Sequence, residues 1–235
     1  MSINPAFEPM IMVLVGPSDA GKTSIGLAAG FPKLVSITTR PKRPGEREGV
    51  DYYFVTPEQA QKMHQEGELV EFCEYAGHMY GLTFKEIKSK LQQHPVVFTS
   101  MDARGIRQLV PVPEYGSIVR IVFVCADKET LRRRMQKRGL SEEEIQRRLD
   151  YFPRDIVNRY AGYAIYNADG KLEESARLLR AIAEDTSRGL QNKPGYFYAD
   201  EDRPENCPQG HHLPMRGTRG PNICPTCAKI KLLGQ

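Results

Sequence analysis

Apolar positions along this chain come in two rhythms. Short, nearly continuous apolar runs read as strands buried on both faces: Met10–Val15, Leu34–Thr38, Leu69–Tyr75, Val96–Thr99, Val119–Val124 and Tyr163–Asn167. Between them lie stretches with helical spacing and helix-start chemistry. Thr56-Pro57-Glu58-Gln59 reads as a capping box with proline at the first helical position. Thr83-Phe84-Lys85-Glu86 and Ser141-Glu142-Glu143-Glu144 repeat the box. From Leu172 to Arg188 apolar residues recur at Leu172, Ala176, Leu179, Ala181 and Ile182, and the pattern stops at Gly189, as a closing amphipathic helix would. Alternating strands and helices from residue 10 to about 187 predict an α/β domain with a parallel sheet.

After that domain the pattern changes. The expected organisation is a main domain over residues 1–188, a linker over 189–204 and a small tail over 205–235. The linker carries Asn192-Lys193-Pro194-Gly195, three consecutive aromatics from Tyr196 to Tyr198, and Asp200-Glu201-Asp202. A chain of 235 residues has room for one full domain and such an appendage. With 40% hydrophobic and 26% charged residues the composition is that of an ordinary soluble protein. A net charge of +4 is too mild to argue for nucleic acid or an anionic membrane. No segment approaches the ~20 apolar residues of a membrane span, and no signal pattern opens the chain. The expectation is a cytoplasmic protein with no membrane partner.

Candidate chemistry begins at Gly16-Pro17-Ser18-Asp19-Ala20-Gly21-Lys22-Thr23, between the first strand and a helix-like stretch, Ser24 to Ala29. This is the G-x-x-x-x-G-K-[ST] spacing of a phosphate-binding loop. Backbone N–H groups from Gly16 through Ser18, Asp19, Ala20, Gly21, Lys22, Thr23 and Ser24 are placed to converge on phosphate oxygens. Lys22 is expected to reach the β/γ-phosphates, and the Thr23 hydroxyl to meet Mg²⁺. Asp19 puts a negative charge beside those phosphates, at a cost to ATP affinity. A second segment, Ser36-Ile37-Thr38-Thr39-Arg40-Pro41-Lys42-Arg43-Pro44-Gly45-Glu46-Arg47-Glu48-Gly49-Val50-Asp51-Tyr52-Tyr53-Phe54, sets two guanidinium forks among prolines with a tyrosine beyond them. Such forks suit bidentate phosphate contacts.

Together the two segments resemble guanylate kinase over residues 10 to about 187. Glu71 with Tyr80-Gly81 and the arginine-rich stretches Leu131–Gly139 and Gln146–Leu149 complete the likeness. The resemblance implies a P-loop nucleoside-monophosphate kinase fold: a three-layer core with acceptor-binding and lid subdomains. It implies phosphoryl transfer from ATP, with Mg²⁺, to GMP, dGMP or a related nucleotide. Arg40, Arg43, Tyr52 and Tyr80 would hold the acceptor phosphate, and Ser36 and Glu71 would face the base. Arg138 and Arg148 would clamp the transferring group alongside Lys22, and Asp102 would stand near Mg²⁺. No general base is needed, because the acceptor phosphate oxygen is itself a nucleophile. Two positions depart from the family. Leu82 stands where a hydroxyl residue is usual, and Ser100 stands where the first Asp of D-x-D-x-x-G faces the base. Both leave the accepted base open. The other reading is a non-catalytic binding module of this fold, against which the intact Gly16, Gly21, Lys22 and Thr23 weigh.

The tail holds Cys207, His211, His212, Cys224 and Cys227. Cys-x₂-Cys presents two thiolates to one tetrahedral ion, and a Cys with a nearby His supplies the rest. The expectation is one structural Zn²⁺ in a small ribbon or knuckle, held by the three cysteines and either His211 or His212. About thirty residues have too little core to fold without such an ion. Arg216, Arg219, Lys229 and Lys231 outweigh Glu205, so nucleic acid or protein is a candidate partner for the tail.

Overall fold

The computed structural model describes residues 8–75, 77–150 and 163–187. The expected linker and zinc tail, with Cys207, His211, His212, Cys224 and Cys227, lie outside the described residues. Four parallel strands form the main sheet: β1 (Met10–Val15), β6 (Val96–Ser100), β7 (Val119–Cys125) and β8 (Tyr163–Tyr166), in the order β6-β1-β7-β8. Strand β1 is central and every one of its six residues is buried, which accounts for its unbroken apolar sequence.

Alternation along the strands splits the core in two. Met10, Met12, Leu14, Val96, Phe98, Val122 and Val124 face α1 (Lys22–Ala28), α5 (Lys128–Lys137), α6 (Glu142–Asp150) and α7 (Leu172–Ser187). Ile11, Val13, Val97, Ile121 and Phe123 face α3 (Phe84–Gln93) and α4 (Ala103–Leu109). The sheet therefore lies between helices on both faces, as the alternating pattern requires.

A second sheet has the order β3-β2-β5-β4, from β2 (Ile37–Thr38), β3 (Tyr53–Phe54), β4 (Leu69–Tyr75) and β5 (His78–Thr83). Here sequence reading falls short. The strand expected over Leu34–Thr38 shrinks to two residues, and β3 and β5 were not anticipated. Strands β4 and β5 form an antiparallel hairpin, Glu71 opposite Leu82 and Cys73 opposite Tyr80. Leu82 is fully buried among Val70, Ile87, Val97 and Ile106, so it fastens this sheet to the main core.

The expected capping side chains all act, but among the described residues only one of the three expected boxes is shown closed in both directions. Thr56 and Gln59 close a reciprocal capping box at α2 (Pro57–Gln65). Ser141 Oγ accepts from Glu144 N at 3.2 Å. Thr83 caps α3, accepting from Glu86 N. Glu86, however, does not serve the expected box: its carboxylate accepts from Val35 N at 3.0 Å and from Tyr53 Oη at 3.2 Å. Among the described residues no helix is long and apolar enough to cross a membrane.

Helix α1 packs its Gly26 on Phe98; a Cβ there would stand 2.4 Å from the ring. Helix propensity alone says that Gly26→Ala stabilises by about 1 kcal/mol. The buried ring reverses the sign. We expect Gly26→Ala to destabilise by about 1–3 kcal/mol, read as a lower urea midpoint at unchanged slope.

Candidate active site

The phosphate loop leaves the carboxyl end of β1 at the centre of the parallel sheet. Its backbone is fixed by close approaches. At Gly16 φ is +140° and a Cβ would fall 2.0 Å from the Val124 carbonyl oxygen. At Gly21 φ is +92° and a Cβ would fall 2.3 Å from Asn167 Nδ2. That amide donates to Ala20 O at 2.9 Å, while Asn167 Oδ1 accepts from Ser175 Oγ at 3.0 Å, so α7 braces the loop through Asn167. Lys22 folds back over the loop, donating to Gly16 O at 2.9 Å and Pro17 O at 2.7 Å. Burial lowers its ammonium pKa to about 8, and only the charge of Asp19 pulls the other way. Thr23 and Ser24 are exposed in the first turn of α1.

Asp19 has φ +63°, the only non-glycine residue with positive φ among those described. Its Oδ1 lies 2.5 Å from Arg138 Nη1, and its main-chain carbonyl accepts from Arg134 Nη1 at 3.2 Å. Arg134 also donates to Asn167 O at 2.9 Å and to Asp169 Oδ1 at 3.0 Å. The arginines of α5 are thus not merely a solvated face. Arg134 lies one helical turn before Arg138, on the same face, and that spacing was the available clue to it. Asn167 gave no comparable sign, being a single polar residue at a strand end. Helix α5 is tied down further by Asp127, which caps it through Thr130 N at 2.7 Å and accepts from Tyr166 Oη at 2.7 Å.

Arg138 and Arg148 do not share a partner. Arg148 donates twice to Glu144 Oε1 within α6, at 3.1 and 2.5 Å. Those bonds hold the Glu144 carboxyl below its usual range, with Arg147 and Arg43 adding to the effect. The influence of Arg43 brings the proline-rich segment electrostatically close to α6. An Arg132–Glu142 ion pair and a 2.9 Å bond from Arg132 to Gln146 join α5 to α6.

The second sheet gathers the other candidates. Arg40 is buried; its Nη2 lies 2.6 Å from Glu46 Oε1 and its Nη1 donates to Pro41 O at 2.6 Å. Glu46 also accepts from Arg43 N at 2.8 Å, while the Arg43 side chain is exposed. The Arg40 guanidinium stands 5.4 Å from the Tyr52 ring centre, and the Tyr52 and Tyr80 rings meet edge-on at 6.0 Å. Arg40, Tyr52 and Tyr80 therefore form one cluster, with Arg43 at its rim. Lys33, unmarked by any motif, lies 5.0 Å from the same Tyr52 ring and donates to Asp51 O at 2.6 Å. Ser36 sits between Val35, bonded to Glu86, and β2, and its carbonyl accepts from Tyr53 N at 3.0 Å.

Glu71 is only 5% exposed. Burial pushes its carboxyl up to about 7; a bond from the Cys73 thiol and the charge of Arg104 oppose the rise, and the charge of Asp102 adds to it. The half-buried Cys73 donates through Sγ to Glu71 Oε1 at 3.6 Å, so this cysteine is a polar neighbour of that carboxylate. Gly105 permits α4 to pack there, since a Cβ would stand 3.0 Å from Glu71 Cγ. Leu82 is fully buried and stands directly opposite Glu71 in the hairpin, on the same face as Tyr80, and the Thr83 hydroxyl is used to cap α3. Ser100 ends β6 opposite Leu14.

Among the described residues no three His, Cys, Asp or Glu side chains converge as a metal cage. Mg²⁺ needs none beside a polyphosphate: it keeps waters and takes one or two protein oxygens. Thr23 and Asp102 are of the right class. Asp102 is already engaged, capping α4 through Arg104 N at 2.8 Å and Gly105 N at 3.1 Å and pairing with the Arg104 guanidinium at 2.8 Å.

Comparison with known proteins gives the family and the fold. The sequence model of the guanylate kinase family matches residues 8–186. A guanylate kinase of Synechococcus sp. (strain JA-3-3Ab) is 36% identical over 192 residues, which is 79% of this chain and 87% of that protein. One from Streptomyces kasugaensis is 38% identical over 194 residues, 80% of this chain and 88% of the relative. A crystal structure of guanylate kinase from Anaplasma phagocytophilum superposes with a TM-score of 0.53 at 24% identity, covering 77% of this chain and 87% of that one, a likeness of fold.

Proposed function

This chain belongs to the guanylate kinase family, and from that premise we propose that it transfers the γ-phosphoryl group of ATP to GMP, giving ADP and GDP. The observation that best supports the reading is the pairing of two built halves. One is a phosphate loop braced by Asn167 and faced by Arg138; the other is a separate sheet that carries Tyr80 and Glu71, with Tyr52 and Arg40 gathered against Tyr80. A non-catalytic binding module would have no use for the loop geometry enforced at Gly16 and Gly21.

In this reading the loop amides from Gly16 to Ser24 bind the donor phosphates. Lys22, Arg138 and Arg148 neutralise the charge that spreads over the transferring group. Such transfer needs in-line positioning and electrostatic stabilisation more than covalent chemistry. Arg148 must exchange Glu144 for phosphate, so its contribution comes with a movement of α6. Arg40, Arg43, Tyr52 and Tyr80 hold the acceptor phosphate, whose oxygen attacks the γ-phosphorus as ADP departs. Mg²⁺, held by Thr23 and by Asp102, would neutralise the donor phosphates. Ser36, Glu71 and Ser100 face the base. Guanine offers N1–H and its amino group as paired donors, and an ionised Glu71 only accepts.

The assay that tests this measures ADP formation from Mg·ATP against ribo- and deoxynucleoside monophosphates. GMP is expected to be the best acceptor, and Lys22→Ala to lose at least about a hundredfold in kcat/KM. Because the Glu71 carboxyl is lifted to about 7, the KM for GMP should fall as pH rises from 6 to 8. Glu71→Gln should remove both that slope and the preference for guanine. Stability moves oppositely. Between its ordinary 4.5 and about 7 the folded protein keeps this proton while the unfolded chain has released it, so stability declines as pH climbs through that window. Glu71→Gln should flatten the decline. Turnover with no nucleotide would contradict the proposal.

We also keep the tail as a zinc site, with Cys207, Cys224, Cys227 and His211 or His212 as ligands and nucleic acid or protein as its partner. The support is ligand spacing alone. Metal analysis of the full chain should give about one zinc per molecule, lost in Cys224→Ser and in only one of His211→Ala and His212→Ala. Protein purified without chelators that holds no zinc would end this part of the reading.

A further inference from the structure

Asp19 combines three features that no requirement of the loop explains. Its backbone is left-handed, which glycine adopts without strain and which Asp merely tolerates. Its side chain is 7% exposed, yet Oδ2 is buried with no hydrogen-bond partner. Its other oxygen makes a 2.5 Å ion pair with Arg138, a residue 119 positions away. Around this one carboxylate lie Lys22, whose charge interacts with it, and Arg134, bonded to its carbonyl. These are the groups that the proposed function assigns to, or places beside, the donor phosphates.

We propose that Asp19 is a built-in competitor for the donor: its carboxylate holds Arg138 on the phosphate loop, and the donor's polyphosphate must take that arginine over before transfer. The inference rests on the donor-site reading above and adds a residue that sets donor affinity through Arg138. Two consequences follow from charge alone. The pair fixes the Arg138 side chain on the loop, at the end of a helix already anchored by Arg134 and Asp127, so the arginine is held close to where the phosphates would bind. The carboxylate also repels a polyphosphate bound at the same loop, so the protein binds ATP more weakly than the loop would otherwise permit. The unmatched Oδ2 makes the pair exchangeable, since a carboxylate with one dry, unbonded oxygen is a poor permanent partner.

The test is direct binding of Mg·ATP to the full-length protein by calorimetry, together with trypsin cleavage of α5–α6 with and without nucleotide. Asp19→Asn removes the charge, keeps the volume and tolerates left-handed backbone; Asp19→Gly removes the side chain altogether. Both should bind Mg·ATP about tenfold tighter or more. Without nucleotide both should be cut after Arg138 several times faster than the parent, and Mg·ATP should restore protection there. Unchanged or weaker ATP binding in folded Asp19→Asn would overturn the proposal. So would tighter binding with unchanged cleavage after Arg138, because Arg138 would then not be held by Asp19. If the parent protein fails to bind Mg·ATP at all, the donor-site reading falls and this inference with it. If the parent binds and turns over GMP while the variants match it in affinity, only this inference falls.

Discussion

A half-buried ammonium governs this molecule. Lys22 points back into its own loop and is satisfied there by two carbonyl oxygens, those of Gly16 and Pro17. Neutral acceptors stabilise a desolvated cation less than an anion does, and burial accordingly lowers its pKa to about 8. Much of the surrounding architecture keeps that loop in place. The Val124 carbonyl leaves no space for a side chain at Gly16, and Asn167, braced from α7 by Ser175, leaves none at Gly21. A loop so constrained keeps one backbone path, with Lys22 folded over it.

The acceptor half depends on a different device. Its sheet is small, and two of its strands have only two residues each. It is secured by Leu82, buried against the main core, and by Glu86, which reaches from α3 to Val35 N and Tyr53 Oη. Glu86 therefore connects a helix with both ends of the proline-rich segment. Arg40 and Tyr52 are presented from a segment anchored at its two ends, while Arg43 between them stays exposed.

The parts legible in the sequence were those governed by local rules. The central strand is one apolar run because it is buried on both faces. The phosphate loop carries its glycines because neighbouring groups leave no space for a Cβ. Thr56, Thr83 and Ser141 cap the helices they were expected to cap. What escaped depends on distant partners. Strands β3 and β5 acquire their structure from pairing with β2 and β4, not from any run of their own. Leu82 marks a departure in the motif, but only the folded hairpin shows that it stands opposite Glu71 while packing on the main core. Glu86 was read as half of a capping box, yet a buried amide 51 residues away claims its carboxylate. Asn167 and the Asp19–Arg138 pair become visible only once β8 and α5 are folded beside the loop.

The central claim is that Lys22 is a half-buried amine with a pKa lowered to about 8, which an anion bound at its loop would charge fully. Calorimetric binding of Mg·ATP at pH 8, repeated in buffers of differing ionisation enthalpy, tests it most directly. With a pKa of about 8, roughly half a proton should be taken up per nucleotide bound, and Lys22→Met should abolish the uptake. Binding with no proton exchange at that pH would contradict the account, because Lys22 would then already be fully charged before the phosphates arrive.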